Sequence, residues 1–401
     1  MNVDIAIVGA GPAGLCLARS LADTGLSILV IEQQAQQTLQ EPSFDGREIA
    51  LTPRSVRILK ELGIWQRLGP ADIAPLRSAR VLNGTVARGL HVVPTHGDEA
   101  ELGFLVPNDR IRRAAYASVE QEPRITLACG ITVEQLALDG PLARLSLSNG
   151  AEVSAQLVIA ADSRFSKLRR DAGIAADMHD FGKTMLVCRM ALEKPHHGEA
   201  LEWFGHAQTL AVLPLRNDEA SIVVTLPPDE MRRLMAMDDD AFNAEMRRRF
   251  NHRFGDMRLV STRHTYPLVG VYARRFMARR FALVGDAAVG MHPVTAHGFN
   301  LGLRGVQTLA ALICRANSSG RDIASVDLLR SYQRMHRRAT WPLYAATGAI
   351  VAMYTDDRPI ARHARAALLH ASQALPPVRH AIAHALAADD HRRFRLRRHR
   401  S

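Results

Sequence analysis

Residues 4–32, DIAIVGAGPAGLCLARSLADTGLSILVIE, constrain the fold more than any other stretch of the chain. Ile5, Ile7 and Val8 read as a buried parallel strand, residues 12–24 as a helix closing at Gly25, and residues 28–31 as a second strand ending at Glu32. Between strand and helix stand Gly9, Gly11 and Gly14, a GxGxxG in the setting that gives the pattern its meaning. Gly9 permits a tight turn, Gly11 lets the backbone approach a pyrophosphate, and Gly14 lets the helix pack closely on the strand. The helix start then offers free N–H groups to an anion. Glu32 stands where a carboxylate accepts hydrogen bonds from an adenosine ribose, and its charge disfavours the 2′-phosphate of NADP in this site. The unit predicts a doubly wound α/β sheet that holds a dinucleotide, and leaves FAD and NAD undecided.

A chain of 401 residues has room for two or three domains. A helix is expected over 53–62, alternating strands over 81–93, a helix over 108–119, and short strands over 125–127, 131–138, 142–147 and 156–161. From 185 to 226 the pattern turns to strands at 185–192, 210–215 and 221–226, a separate sheet inserted before the chain returns to the nucleotide fold near Tyr266. Helices are expected over 326–335 and 340–353, followed by two short ones broken at Pro376-Pro377. The organisation predicted is a nucleotide-binding domain from 1–77 and 101–180, a β-sheet substrate domain from 78–100 and 181–265, a return over 266–338, and a helical C-terminal region with a basic tail over 339–401.

The 47% hydrophobic and 23% charged fractions are those of an ordinary globular protein. Cys16, Cys129, Cys188 and Cys314 lie in apolar segments without ligand spacing, which predicts buried thiols in a reducing compartment and no structural zinc or disulfide framework. The N-terminus enters a strand without a charged leader, and no apolar run reaches the roughly 18 residues that span a bilayer. A cytoplasmic protein is expected. Much of the +11 net charge gathers at Arg392, Arg393, Arg395, Arg397, Arg398 and Arg400. Such a run reads first as a solvated tail and second as an adhesive for anionic lipid or an acidic partner. Apart from Phe394 it lacks the aromatic interleaving of a nucleic-acid site, so no nucleic-acid partner is expected.

Residues 283–303, LVGDAAVGMHPVTAHGFNLGL, run from an apolar strand through Gly285-Asp286 and a turn with His292-Pro293 into a helix opening near Gly298 and Asn300. That helix carries Leu303, Val306, Leu309, Ala310 and Ile313 at helical spacing. An acid just past a strand end can accept hydrogen bonds from a hydroxyl chain, and a glycine-rich helix start can approach a polar ring edge. A flavin dinucleotide needs both. His297 stands in front of that helix, where an imidazole either takes a substrate proton or fixes the turn. His292 reads as turn-shaping, and His380 with His384, at i, i+4, lacks a third ligand for a metal.

These segments, with two more, resemble the flavoprotein aromatic hydroxylases. Gly46-Arg47, leading into ALTPRSVRILKELGIW, is similar to that family's arginine that contacts the FAD phosphates. VIAADSRFSKLR, residues 158–169, resembles its second fingerprint, which implies a place for Asp162 near the pyrophosphate and the approach of the pyridine nucleotide. Residues 283–303 resemble its third, which implies that Asp286 binds the ribityl chain and that Gly298, Phe299 and Asn300 face the pyrimidine edge. The same resemblance implies cofactor contacts at Pro12, Ala13, Arg110, Val133 and Gly285. LVPNDRIRRAAYASVEQEPRITLACG and PHHGEALEWFGHAQTLAVLPL are similar to the ubiquinone-biosynthesis subgroup, and VTAHGFN is most similar to that subgroup's broad-specificity type. Departures stand at Ser163 in place of glycine, Val289 in place of histidine, Ala296-His297 in place of Gly-Gln, and Phe181-Gly182-Lys183 in place of aromatic-Gly-Gln.

The fold implied is a Rossmann-like FAD-binding domain of the aromatic hydroxylase type, with an inserted β-sheet substrate domain and a helical C-terminus. The activity implied is a monooxygenase in which NAD(P)H, docking transiently, reduces FAD, O2 adds at the flavin C4a, and one oxygen atom passes to a polyprenylated phenol or quinol. The inserted sheet, with Trp203, Phe204, Leu213 and Pro214, is expected to roof the substrate. Such a substrate implies peripheral contact with the inner face of the membrane or with a ubiquinone-biosynthesis complex, by a monomer or an oligomer. Two alternatives stay open: a soluble aromatic or polyketide substrate, and a non-catalytic flavoprotein subunit. A halogenase is disfavoured, because the chain has no WxWxIP segment.

Overall fold

Strands Phe281–Leu283, Glu152–Ala160, Asn2–Val8, Ile28–Glu32 and Ile125–Cys129 lie side by side and parallel in a computed structural model. The structure describes residues 1–84, 89–94, 101–205, 208–292 and 298–355, with side chains as far as residue 348. Met277–Ala278 closes one edge of this first sheet, while Ala143–Leu147 and Val133–Ala137 pair beyond the N-terminal part of Glu152–Ala160. Ile5, Ile7, Leu157, Ile159 and Phe281 are fully buried in it, as expected of parallel strands covered on both faces. Helices Pro12–Leu21 and Gly298–Ser318 pack against one another and on the strands, and the first ends in a short 3-10 turn at Gly25, whose φ of 78° is left-handed.

A second, largely antiparallel sheet runs in the order Val289–Gly290, His264–Ala273, Ala176–Leu192, Glu219–Leu226, Thr209–Pro214, Glu199–Phe204, Ser78–Asn83 and Leu90–Val92. Met257–Leu259 pairs on Ala176–Leu192. Alternation splits its side chains cleanly between two faces. Leu186, Cys188, Leu201, Leu210, Val212, Ile222 and Val224 point one way, into a core with Met231 and Leu234 of helix Pro228–Met235 and Phe242 and Met246 of helix Asp239–Arg249. Met185, Val187, Val223, Tyr266 and Leu268 point the other way. Glu48–Leu51, Gly103–Pro107 and Ala74–Leu76 form a small third sheet, with Gly103–Pro107 in its centre.

Three expectations change. The strand Ala176–Leu192 crosses the boundary drawn at 180, and His264–Ala273, expected to belong to the nucleotide fold from 266, pairs with it along most of its length. The chain therefore re-enters the first sheet at Met277. Two long strands held edge to edge cannot be divided between domains. Residues 326–355 form one helix, Val326–Thr355, and not two. The polar run at 336–340 interrupts the apolar spacing but holds no helix breaker, and Pro342 is accommodated inside the helix. Finally, Cys16 and Cys188 are buried, with their thiols pushed up to about 12, whereas Cys129 and Cys314 are only half-buried.

Candidate active site

Parallel strands end together, so the segments that follow them share one edge of the sheet. Val8 leads into Gly9-Gly11, Ala160 into Asp162, Leu283 into Gly285-Asp286, and Ile28–Glu32 ends on the acid itself. The glycine turn is dictated by contact: a Cβ on Gly14 would lie 2.0 Å from the Gly9 carbonyl oxygen, and one on Gly9 (φ 110°) 2.5 Å from that of Ala161. A Cβ on Gly11 would meet nothing within 4 Å, so the space before the helix start is open. Gly285, at φ 59°, packs between Ala13 and Gly302 and locks the third segment against both helices.

Glu32 reaches back into the glycine turn. Its Oε2 accepts from the Ala10 N–H at 2.7 Å and its Oε1 from the Gln34 N–H at 2.9 Å. Asp162 lies against Gly9, and its Oδ1 is buried without a partner. Burial raises its pKa against the pull of Ser166 and the Ser163 backbone. Arg47 donates to Asp45 from Nε at 3.1 Å and Nη2 at 2.6 Å and stacks over the Tyr266 ring, whose hydroxyl holds the Asp45 carbonyl at 2.7 Å. Burial works to lower the Arg47 pKa, but the Asp45 hydrogen bond and charge, helped by Tyr266 and Asp286, hold it above the ordinary value.

Asp286 Oδ2 accepts from Arg164 Nη2 at 2.8 Å, and Arg164 Nη1 donates to the Val269 carbonyl of the second sheet. Arg169, 2% exposed, donates to the Arg164 and Ala287 carbonyls and ties the second segment to the third. Asn300 spends its side chain on structure: Nδ2 donates to the Ala50 carbonyl and Oδ1 accepts from the Thr52 N–H. Gly298 opens the helix Gly298–Ser318, and a Cβ on it would meet nothing within 4 Å among the described residues. An open glycine turn, a buried orphan carboxylate oxygen and a helix that begins on a glycine with open space beside it are what an extended dinucleotide with a polar ring edge requires. The residues present fit FAD.

Arg110 sits beside Asp72 and Asp109, whereas Arg112, two residues on, donates to Gln34 Oε1 at 2.9 Å next to Glu32. The Val133 side chain is buried in the first core. Pro12 and Ala13 form the first turn of the opening helix. His297 lies outside the described residues. His292 packs edge-on to Phe181 with centroids 4.7 Å apart, beside the bulge at 181–183, and burial with Arg164 and Lys183 nearby pushes it down to about 4. Of the expected roof, Phe204 and Leu213 stand on the face of the second sheet opposite its helices, but Trp203 turns to the helix side, its Nε1 donating to the Gly84 carbonyl. Alternation decides this, and Pro214 follows Trp203. Asp45, Arg112 and Arg164 carry no spacing signal in the sequence. Only the folded strand ends bring them to the cleft.

The fold and this cleft define an FAD-binding protein of the aromatic-hydroxylase type. The FAD binding domain family matches residues 2–347. The chain is 42% identical to the ubiquinone hydroxylase UbiM of Neisseria meningitidis over 386 residues, 95% of this chain and 84% of that one. It is 34% identical to the ubiquinone hydroxylase UbiL of Rhodospirillum rubrum over 354 residues, 88% of this chain and 82% of that one. The solved structure of the p-nitrophenol 4-monooxygenase PnpA from Pseudomonas putida matches in fold with a TM-score of 0.75 at 18% identity, covering 96% of this chain and 98% of that one. The chain belongs to the FAD-dependent hydroxylases of the ubiquinone-biosynthesis family.

Proposed function

We propose that this enzyme hydroxylates the aromatic ring of a ubiquinone precursor, a polyprenylated phenol or quinol, with electrons from NAD(P)H and oxygen from O2. The observation that carries the reading is that the likeness to UbiM runs through the second sheet as well as the strand ends, so it includes the walls a substrate would touch. Bound FAD supplies the redox chemistry. The chain supplies position and environment. Glu32 would hold the adenosine ribose, the Gly9–Gly14 turn and Arg47 the phosphates, Asp286 the ribityl hydroxyls, and the Gly298 helix start the pyrimidine edge. Met185, Val187, Val223 and Leu268 give the facing sheet a dry surface, which keeps water from the reacting centre and holds an apolar ring against it.

A polyprenylated substrate resides in a bilayer, and no helix among the described residues is long and apolar enough to cross one. The reading therefore includes peripheral contact. Helix Val326–Thr355 exposes Met335 and Trp341 beside Arg334 and Arg338, and the chain beyond it ends in the arginine run. Expression in strains lacking single ubiquinone hydroxylases tests the function, with lipid extracts read for the intermediate that disappears. Restored ubiquinone in at least one strain is expected. Failure in every strain by a protein purified with full FAD would overturn the reading.

A further inference from the structure

Glu202 lies in the middle of strand Glu199–Phe204, between Leu201 and Trp203, which both turn toward the helix-covered core. Its own side chain therefore points to the opposite face, the one carrying Val187 and Val223. The register fixes its neighbours. Val81 and Ala211 stand directly across from it, Ala200 and Phe204 flank it along the strand, and the row continues through Val223 and Val187 to His264. Val187 is the residue that a Cβ on Gly46 would strike, at 2.7 Å, so the far end of the row is covered by the Gly46-Arg47 segment of the flavin cleft. Three strand spacings, about 14 Å, separate Glu202 from Val187. A single aromatic ring with its substituents spans much of that gap.

Among the described residues Glu202 makes no hydrogen bond or ion pair, and its four nearest neighbours on this face are apolar. Surrounding protein pushes its carboxyl up to about 8, while part of its surface remains accessible. Its neighbours Ala200 and Ala211 have short side chains that cannot reach across to its carboxyl. A carboxyl in an apolar wall without a partner costs stability that a hydrophobic residue would not, and nothing among the described residues accounts for it.

We propose that Glu202 is a specificity-determining residue that hydrogen-bonds the ring oxygen of the aromatic substrate. This rests on the functional reading above and adds the residue that orients the ring. A protonated carboxyl donates its O–H to the ring oxygen, and its carbonyl oxygen accepts from a phenol hydroxyl. The apolar row from Ala211 to Val187 receives the carbon face of the ring. Recognition is then of an oxygenated ring over a bare one, since the buried carboxyl is left unpaired by a substrate that lacks the oxygen.

The test uses holoenzyme, two variants and two probes. Glu202→Leu removes the hydrogen-bonding group and Glu202→Gln keeps one, while a short-tailed prenylphenol and the matching prenylbenzene differ only in the ring oxygen. Binding is read from the absorbance of the bound flavin and turnover from ring-hydroxylated product. We expect Glu202→Leu to retain full FAD, to bind the phenol about 10-fold or more weakly, and to bind the prenylbenzene unchanged. Glu202→Gln should stay within a few-fold of the unsubstituted enzyme on both. Equal phenol affinity in Glu202→Leu, or equal losses on the two probes, would overturn the inference and leave the functional reading standing. Failure of the unsubstituted enzyme to bind the phenol would overturn both.

Discussion

Asp286 is held by Arg164, whose Nη2 donates to its Oδ2 at 2.8 Å, while Arg47 is paired with Asp45. Among the described residues the partner of Asp286, Arg164, is on Oδ2, and a ribityl hydroxyl would be a charge-assisted donor to Oδ1. Asp286→Ala should therefore come off a column largely without flavin, with FAD affinity reduced by about 10- to 100-fold, the equivalent of about 1.5–3 kcal/mol for a hydrogen bond to a charged group. The ratio of flavin to protein absorbance reads this directly, and full occupancy would remove Asp286 from the site. Gly14 gives a sharper expectation, because an added Cβ would sit 2.0 Å from a backbone oxygen that has no rotamer to yield. Gly14→Ala should lower stability at or beyond the upper end of the about 1–3 kcal/mol of an overpacked core, and lose flavin with it. A variant with wild-type melting temperature and flavin content would show that the turn has another conformation open to it.

Helices Gly298–Ser318 and Val326–Thr355 meet through one unusual contact. His336, 2% exposed, stacks on Tyr332 with centroids 5.6 Å apart and presses its ring where a Cβ on Gly305 would lie 2.7 Å away. Burial, and secondarily Arg304, pushes its pKa down to about 3, so the folded protein holds it neutral. In the unfolded chain it titrates near the ordinary value of about 6.5. Between those values the unfolded state takes up a proton that the folded state refuses, so stability is lost as pH falls through the window from about 6.5 to about 3. By pH 5 the loss from this residue should be about 2 kcal/mol. His336→Phe keeps a ring in the stack and removes the titration. Thermal melts at pH 7.5 and pH 5 should show a smaller drop for the variant, and identical drops would exclude His336 as an acid-sensitive contact. Gly305→Ala carries an opposite sign to its propensity: the gain of about 1 kcal/mol from replacing a helical glycine is outweighed by about 1–3 kcal/mol of overpacking against a clamped ring. A net lower melting temperature is expected.

At the scale of the molecule, what the sequence reveals is what depends on neighbours in the chain. The glycine turn, Glu32, Asp162 and Gly285-Asp286 each follow a strand within a few residues, and the fold needs only to bring those strand ends together. The reach of Arg112 to Gln34 beside Glu32, the turn of Trp203 to the helix side of its sheet, and the pairing of His264–Ala273 in the second sheet depend on helix face, strand parity and pairing between distant strands, which no local spacing encodes. The arginine run at 392–400 poses a question of the same kind, since its use depends on what it meets. Removing it should leave flavin content unchanged and weaken sedimentation with anionic vesicles while leaving the small binding to neutral ones as it was; undiminished sedimentation would make it a solvated tail. The flavin itself should unify the chain. Its proposed contacts come from residues between Gly9 and Asn300 and from two helices, none of which touches the core under Pro228–Met235 and Asp239–Arg249. A ligand that binds only the folded state stabilises it by about 2.7 kcal/mol at a hundred times its dissociation constant. For a chain of this size, at about 1 °C per kcal/mol, that corresponds to a rise of about 3 °C. Stripping FAD should therefore lower the melting temperature and raise amide exchange at the turns after Val8, Ala160 and Leu283, while exchange in the two helices over the second sheet stays as it was. Equal loosening of those helices would mean that the two sheets respond to the cofactor as one cooperative unit.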